Sequence, residues 1–210
     1  MLITKLKNKD KLFKLCKEEN LYIIKCFGCK EVFFPEKDIN LFIAENEDKI
    51  KGVLRIDYLC NQEFASEYIK KNFPAILKTD KLLIFSCGVG VQVVAKLLED
   101  KVVLPGCDTF YLHGFQGVSS QDVDCEQCGN CYLNITGGIC PLTACAKGLL
   151  NGPCGGADEN GKCEVNSKID CGWVLIYNRL NLIKTCNDKL FSDISVRDYS
   201  LISKKAKDEF

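Results

Sequence analysis

Apolar and polar positions along the first hundred residues alternate between two rhythms. Leu21-Tyr22-Ile23-Ile24-Lys25, Lys51-Gly52-Val53-Leu54-Arg55-Ile56, Lys81-Leu82-Leu83-Ile84-Phe85 and Val102-Val103-Leu104 are short, nearly unbroken apolar runs. Such runs predict strands, of which Lys81–Phe85 is the clearest buried one. Between them lie segments of helical character. Pro35-Glu36-Lys37 suits a first helical turn, although Leu41-Phe42-Ile43 also fits a strand. Residues 62–71 read as a helix halted before Pro74, and residues 91–99 as another. Residues 2–16 read as a lysine-rich amphipathic helix with Leu2, Leu6 and Phe13 on one face. Strand, loop and helix repeat about three times, which predicts an α/β fold, a doubly wound parallel sheet over residues 1–118.

The rhythm then fails. Residues 119–172 are rich in Gly, Cys and Asn and carry no sustained period, so they cannot bury much apolar surface and need an internal staple. The pattern returns at residues 172–180, an amphipathic helix whose Trp173 and Tyr177 suit either packing onto its own segment or docking of a partner. The expected division is residues 1–118 as the sheet domain and residues 119–210 as a cysteine-rich, cluster-binding domain ending in a helix.

Composition changes the picture at one point. The chain has 210 residues, 28 Lys+Arg against 28 Asp+Glu, and 47% hydrophobic residues. This is ordinary globular composition, and a zero formal charge gives no support to nucleic-acid binding or membrane attachment. The outlier is cysteine, at 15. An odd count argues against a complete disulfide framework. The first residues show no apolar signal core, and no run approaches the roughly 18 apolar residues of a membrane span. A cytoplasmic, reducing location is expected, where clustered cysteines mean metal more often than crosslinks.

Eight cysteines crowd one stretch: Cys125, Cys128, Cys131, Cys140, Cys145, Cys154, Cys163 and Cys171. Cys125-x2-Cys128-x2-Cys131, followed by Cys140-Pro141, is the spacing with which small proteins grip cubane iron–sulfur clusters. Eight thiols suffice for two such clusters. The remaining spacings match no standard run, and Cys125-x2-Cys128 alone also suits zinc. Gly137-Gly138, Gly148, Gly152 and Gly155-Gly156 allow the backbone to fold tightly against a cluster. Four more cysteines, Cys26, Cys29, Cys60 and Cys87, stand near the ends of expected strands. The carboxyl ends of parallel strands form the crevice of such folds, so these four are candidates for a further metal site, a third cluster or zinc, with buried free thiols as the alternative. Cys16, Cys107 and Cys186 read as packing residues, and His113, the single histidine, as a loop residue. Ser86-Cys87-Gly88-Val89-Gly90 is only half of a dinucleotide fingerprint and reads as a strand-to-helix turn. No catalytic constellation is visible, and Cys26-x2-Cys29 is not set in a thioredoxin-like pattern.

Several motifs together resemble the methylenetetrahydrofolate reductase C-terminal-like family, whose free-standing members are MetV-type accessory subunits. They are Ser86-Cys87-Gly88-Val89-Gly90-Val91-Gln92, Gly137-Gly138-Ile139-Cys140-Pro141, Cys145-Ala146-Lys147-Gly148 through Pro153-Cys154-Gly155-Gly156, Gly161-Lys162-Cys163-Glu164-Val165 and Asp170-Cys171-Gly172-Trp173 with Ile176-Tyr177-Asn178-Arg179-Leu180. The likeness runs over about residues 20–185. It implies a non-catalytic, metal-holding subunit of one-carbon (Wood–Ljungdahl) metabolism. Such a subunit pairs with a flavin-containing catalytic subunit of methylenetetrahydrofolate reductase and passes it electrons from a donor the sequence does not name. Two or three [4Fe-4S] clusters are the expected cofactors. A zinc-holding subunit that only docks and stabilises the reductase is the alternative.

Overall fold

The computed structural model describes residues 2–15, 21–27, 29–30, 32–110 and 123–184. Cys16, Cys186 and His113 lie outside them. The elements run β1 (Leu2–Leu6), α1 (Lys9–Leu15), β2 (Leu21–Phe27), β3 (Val32–Phe33), α2 (Glu36–Glu45), a 3-10 turn (Glu47–Lys49), β4 (Ile50–Asp57) and α3 (Gln62–Leu77). There follow β5 (Lys81–Phe85), α4 (Gly88–Leu97), β6 (Val102–Pro105), β7 (Cys107–Phe110), α5 (Pro141–Ala144), β8 (Lys162–Cys163), β9 (Asn166–Asp170) and α6 (Gly172–Leu182).

Four strands form a parallel sheet in the order β4-β2-β5-β6. Side chains alternate across a strand, so β2, β5 and β6 feed two cores, while edge strand β4 buries Leu54 and Ile56 on one face and exposes Val53 and Arg55 on the other. Tyr22, Ile24, Cys26, Leu82 and Ile84 pack on one face with Ile69 and Ile76 of α3 and the valines of α4. Leu21, Ile23, Leu83 and Phe85 pack on the other with Leu12 of α1 and Ile39 and Phe42 of α2. This is why the strands read as continuous apolar runs. Lys25 interrupts β2, yet its ammonium is buried and donates to Glu36 Oε1 and Asn40 Oδ1, both at 2.9 Å, on α2.

Three expectations need correction. Residues 2–16 are not one helix. Leu2–Leu6 is a strand, parallel to β3 and antiparallel to β7, and only then does α1 begin. The partner strand lies a hundred residues away, beyond the reach of local periodicity. Asn8 marks the switch: its side-chain oxygen accepts from the Asp10 N–H at 2.9 Å, serving the open start of α1. Second, α3 runs through Pro74 to Leu77. An interior proline costs about 3 kcal/mol. Burial of Ile69 and Ile76 offsets that cost, Asn61 caps the first turn through the Phe64 N–H (3.0 Å), and Lys101 Nζ donates to the carbonyls of Leu77 and Thr79 just beyond the end. Third, α4 starts at Gly88, three residues before the expected residue 91, and ends at Leu97, so both glycines of the half-fingerprint lie inside the helix.

Strand β7 was not anticipated. It joins β1 and β3 in a three-stranded sheet and carries the chain toward the cysteine-rich segment. That segment builds a small core of its own. Cys171, Trp173, Ile176, Leu180 and Ile183 pack with Ile139, Cys145 and Leu149, and Trp173 Nε1 donates to the Leu149 carbonyl at 2.9 Å. Trp173 is therefore a packing residue, whereas Tyr177 stays exposed.

Gly138 joins the two regions. Its φ is +89°, and a Cβ added there would overlap the Ala95 methyl on α4. Gly138→Ala forces a left-handed conformation on an L side chain and overpacks the contact, so a loss of about 2–4 kcal/mol is expected. The urea unfolding midpoint measures it, and an unchanged midpoint would show that the loop and helix part freely.

Candidate metal centre

Cys125, Cys128, Cys131 and Cys140 line a single small cavity of about 20 Å³, together with Gly88, Gln92, Thr109, Gln127 and Leu133. Strand β7 holds the loop that carries three of them. Phe110 bridges Cys128, the Gly129 N–H donates to the Thr109 carbonyl at 2.9 Å, and the Cys131 N–H donates to Asp108 Oδ1 at 2.8 Å. The loop turns tightly through positive φ at Gln127 (51°) and Gly129 (73°). From the other side, Gln92 of α4 donates to the Asp124 carbonyl at 2.6 Å. Gly88 completes the wall. Its N–H donates to Thr109 Oγ1 at 3.0 Å, and a Cβ added there would stand 2.7 Å from Cys125 Sγ. A side chain there would push the Cys125 sulfur out of its present position.

Cys26, Cys29, Cys60 and Cys87 also come together, at the carboxyl end of the parallel sheet. Cys26 closes β2, Cys60 follows β4, and Cys87 caps α4 directly after β5. Burial pushes the Cys26 thiol up to about 12 and the Cys87 thiol up to about 11, and in both the neighbouring sulfurs push the same way. Cys60 is raised by burial and by Cys29. The two sets meet at Cys87-Gly88: Cys87 belongs to the first and Gly88 abuts Cys125 of the second. Burial likewise raises Cys131 to about 12, partly countered by Lys7, and holds Cys125 well above the ordinary thiol range. Without a metal these thiols keep their protons at neutral pH, and binding would displace them. Cys107, read as a packing residue, is buried beside Asp108.

Cys145, Cys154, Cys163 and Cys171 gather around the β8–β9 hairpin. A Cβ on Gly172, next to Cys171, would lie 2.8 Å from the Cys145 nitrogen, and the Cys171 N–H donates to the Gly161 carbonyl at 2.8 Å. Cys163 ends β8. The exposed Cys154 thiol donates to Glu164 Oε1 at 3.1 Å, and Glu164 also pairs with Lys147. None of the thirteen described cysteines forms a disulfide. Among the described residues no three of His, Cys, Asp and Glu converge on one point that would hold a single metal ion. Nor is any described helix long and apolar enough to cross a membrane.

Residues 104–200 match the family model described as methylene-tetrahydrofolate reductase C terminal. Over this segment, a little under half of the chain, the sequence is similar to the methylene-tetrahydrofolate reductase C-terminal family. The family segment opens in β6, takes in β7 and α6, and includes all eight cysteines from Cys125 to Cys171. Cys26, Cys29, Cys60 and Cys87 precede it. No curated protein and no solved structure matches the chain significantly.

The residues around the cavity fit an iron–sulfur cluster in donor chemistry: four thiols at C-x2-C-x2-C…C-P spacing and a glycine wall. The cavity between the four thiols is small, about 20 Å³, so the fit is one of donor set rather than of volume. Arg179 and Lys147 lie in motifs quoted from the sequence, but their bonds to backbone carbonyls and to Glu164 carried no signal there, because their partners lie far along the chain.

Proposed function

We propose that this protein is an iron–sulfur electron-transfer subunit of a methylenetetrahydrofolate reductase complex. In this reading it holds [4Fe-4S] clusters and passes electrons to the flavin of a separate catalytic subunit. The observation that carries the proposal is the shared cavity of Cys125, Cys128, Cys131 and Cys140, set inside the family segment. Bound clusters would supply one-electron redox chemistry. The chain's own residues do the rest. Thr109, Asp108 and Gln92 fix the backbone that carries the cysteines. Gly88 lets α4 approach Cys125. The apolar core beneath, with Leu133, Val89 and Val93, keeps water from the inner side of the site. Cys26, Cys29, Cys60 and Cys87 are a second candidate site for a cluster or for zinc, and the hairpin cysteines a third.

Protein produced and purified without oxygen tests this directly. The expected preparation is brown, bleaches with dithionite, and contains about eight irons and eight sulfides per chain if two clusters are present. A colourless preparation with zinc and no acid-labile sulfide would overturn electron transfer and leave a structural zinc subunit. Co-purification with a flavin-bearing reductase would test the partner separately.

A further inference from the structure

Lys7 is a buried cation next to the cysteine loop. Its side chain is only 10% exposed, and its ammonium donates to Asp108 Oδ1 at 2.6 Å and to the Cys131 carbonyl at 3.2 Å. The same Asp108 oxygen accepts the Cys131 N–H at 2.8 Å. One ion pair therefore grips both backbone polar groups of Cys131. Among the described residues the other buried lysines are spent elsewhere: Lys25 binds side chains of α2, and Lys101 closes the end of α3. Two neutral groups would satisfy the Cys131 backbone equally well. A full charge pair taken out of water costs desolvation that such a task does not require, so its position calls for an electrostatic role.

We infer that Lys7 and Asp108 are positioning residues that set the reduction potential of a centre held by Cys131, an inference that rests on the iron–sulfur reading above. Reduction of such a centre adds one electron and therefore one negative charge, with no bond made or broken. The electron comes from an external one-electron reductant. The Lys7 ammonium stabilises the added charge, and the Asp108 carboxylate opposes it. In a poorly screened interior both effects are large, and they have opposite signs.

The test is a mediated redox titration, followed by electron paramagnetic resonance, of the anaerobically purified full chain. Lys7→Met is expected to lower the midpoint potential, and Asp108→Asn, which keeps the oxygen that accepts from Cys131, to raise it. Each shift should correspond to about a tenfold change in the reduction equilibrium, about 59 mV for one electron. Lys7→Arg should stay near the unaltered value. Opposite shifts support the inference, because a purely structural pair has no reason to move the potential in opposite directions. If Lys7→Met fails to assemble a centre, the sign for Asp108→Asn decides alone. A potential that is unmoved or lowered in Asp108→Asn, with iron and sulfide intact, overturns the inference and leaves the electron-transfer reading standing. An unaltered chain without iron and sulfide overturns both.

Discussion

Arg179→Ala is expected to cost the fold about 3–5 kcal/mol, the sum of several buried carbonyls each losing a charged donor. Arg179 lies on α6 with only 7% of its surface exposed. Its Nε donates to the Gly137 carbonyl at 2.9 Å, its Nη2 to the carbonyls of Leu98 (3.2 Å) and Lys101 (2.9 Å), and its Nη1 to that of Glu99. Three of those carbonyls belong to the last turn of α4 and the loop after it, where the helix dipole is negative and backbone acceptors have no helical donors. Burial lowers the Arg179 pKa, and the nearby carboxylates of Glu99 and Asp100 work against that shift. Removing the guanidinium takes a donor from four carbonyls, of which Leu98 keeps the Lys101 N–H, and leaves a void between α4, α6 and the Gly137-Gly138 turn. Arg179→Lys should recover only part of the loss, because an ammonium cannot reproduce the planar fork. Urea unfolding of the two variants measures the difference. Equal stability of Arg179→Ala and the unaltered chain would show that the fork is ornamental.

Cys125→Ser, in protein prepared without oxygen, should lose about four irons and four sulfides, one cluster's worth. Cys125 stands against the Gly88 wall and lines the cavity with Cys128, Cys131 and Cys140. Cys107→Ser is the matched control. Cys107 is buried close by but does not line the cavity, and iron should be retained. Metal affinity contributes to folding free energy when the site exists only in the folded chain. The Cys125 variant should therefore also melt at a lower temperature, and chelation should narrow the gap between it and the unaltered protein. Equal iron content in the two variants would remove Cys125 from the site.

What the sequence disclosed follows the reach of its patterns. The parallel strands were readable because burial on both faces leaves an unbroken apolar signature, as in Leu82 to Phe85. The cysteine run was readable because its spacing is local. Strands β1 and β7 were not, because each is short and gains its identity from pairing with the other across a hundred residues. The continuation of α3 past Pro74 was hidden for a similar reason: the packing of Ile76 outweighs a local rule. Lys7 looked like one solvated lysine among many until β7 placed Asp108 beside it. The convergence of Cys26, Cys29, Cys60 and Cys87 could be anticipated only through the fold, as side chains at the ends of neighbouring parallel strands.

Helix α4 is covered over most of its length, with residues 88 to 95 all buried. One flank rests on the sheet, and the other is closed by Leu133, Val123 and the cysteine loop. During synthesis the sheet emerges first, and until residues 123–140 leave the ribosome this helix shows water a bare strip of valine. The sulfur-bearing loops are thus the last coat laid over a nearly finished frame.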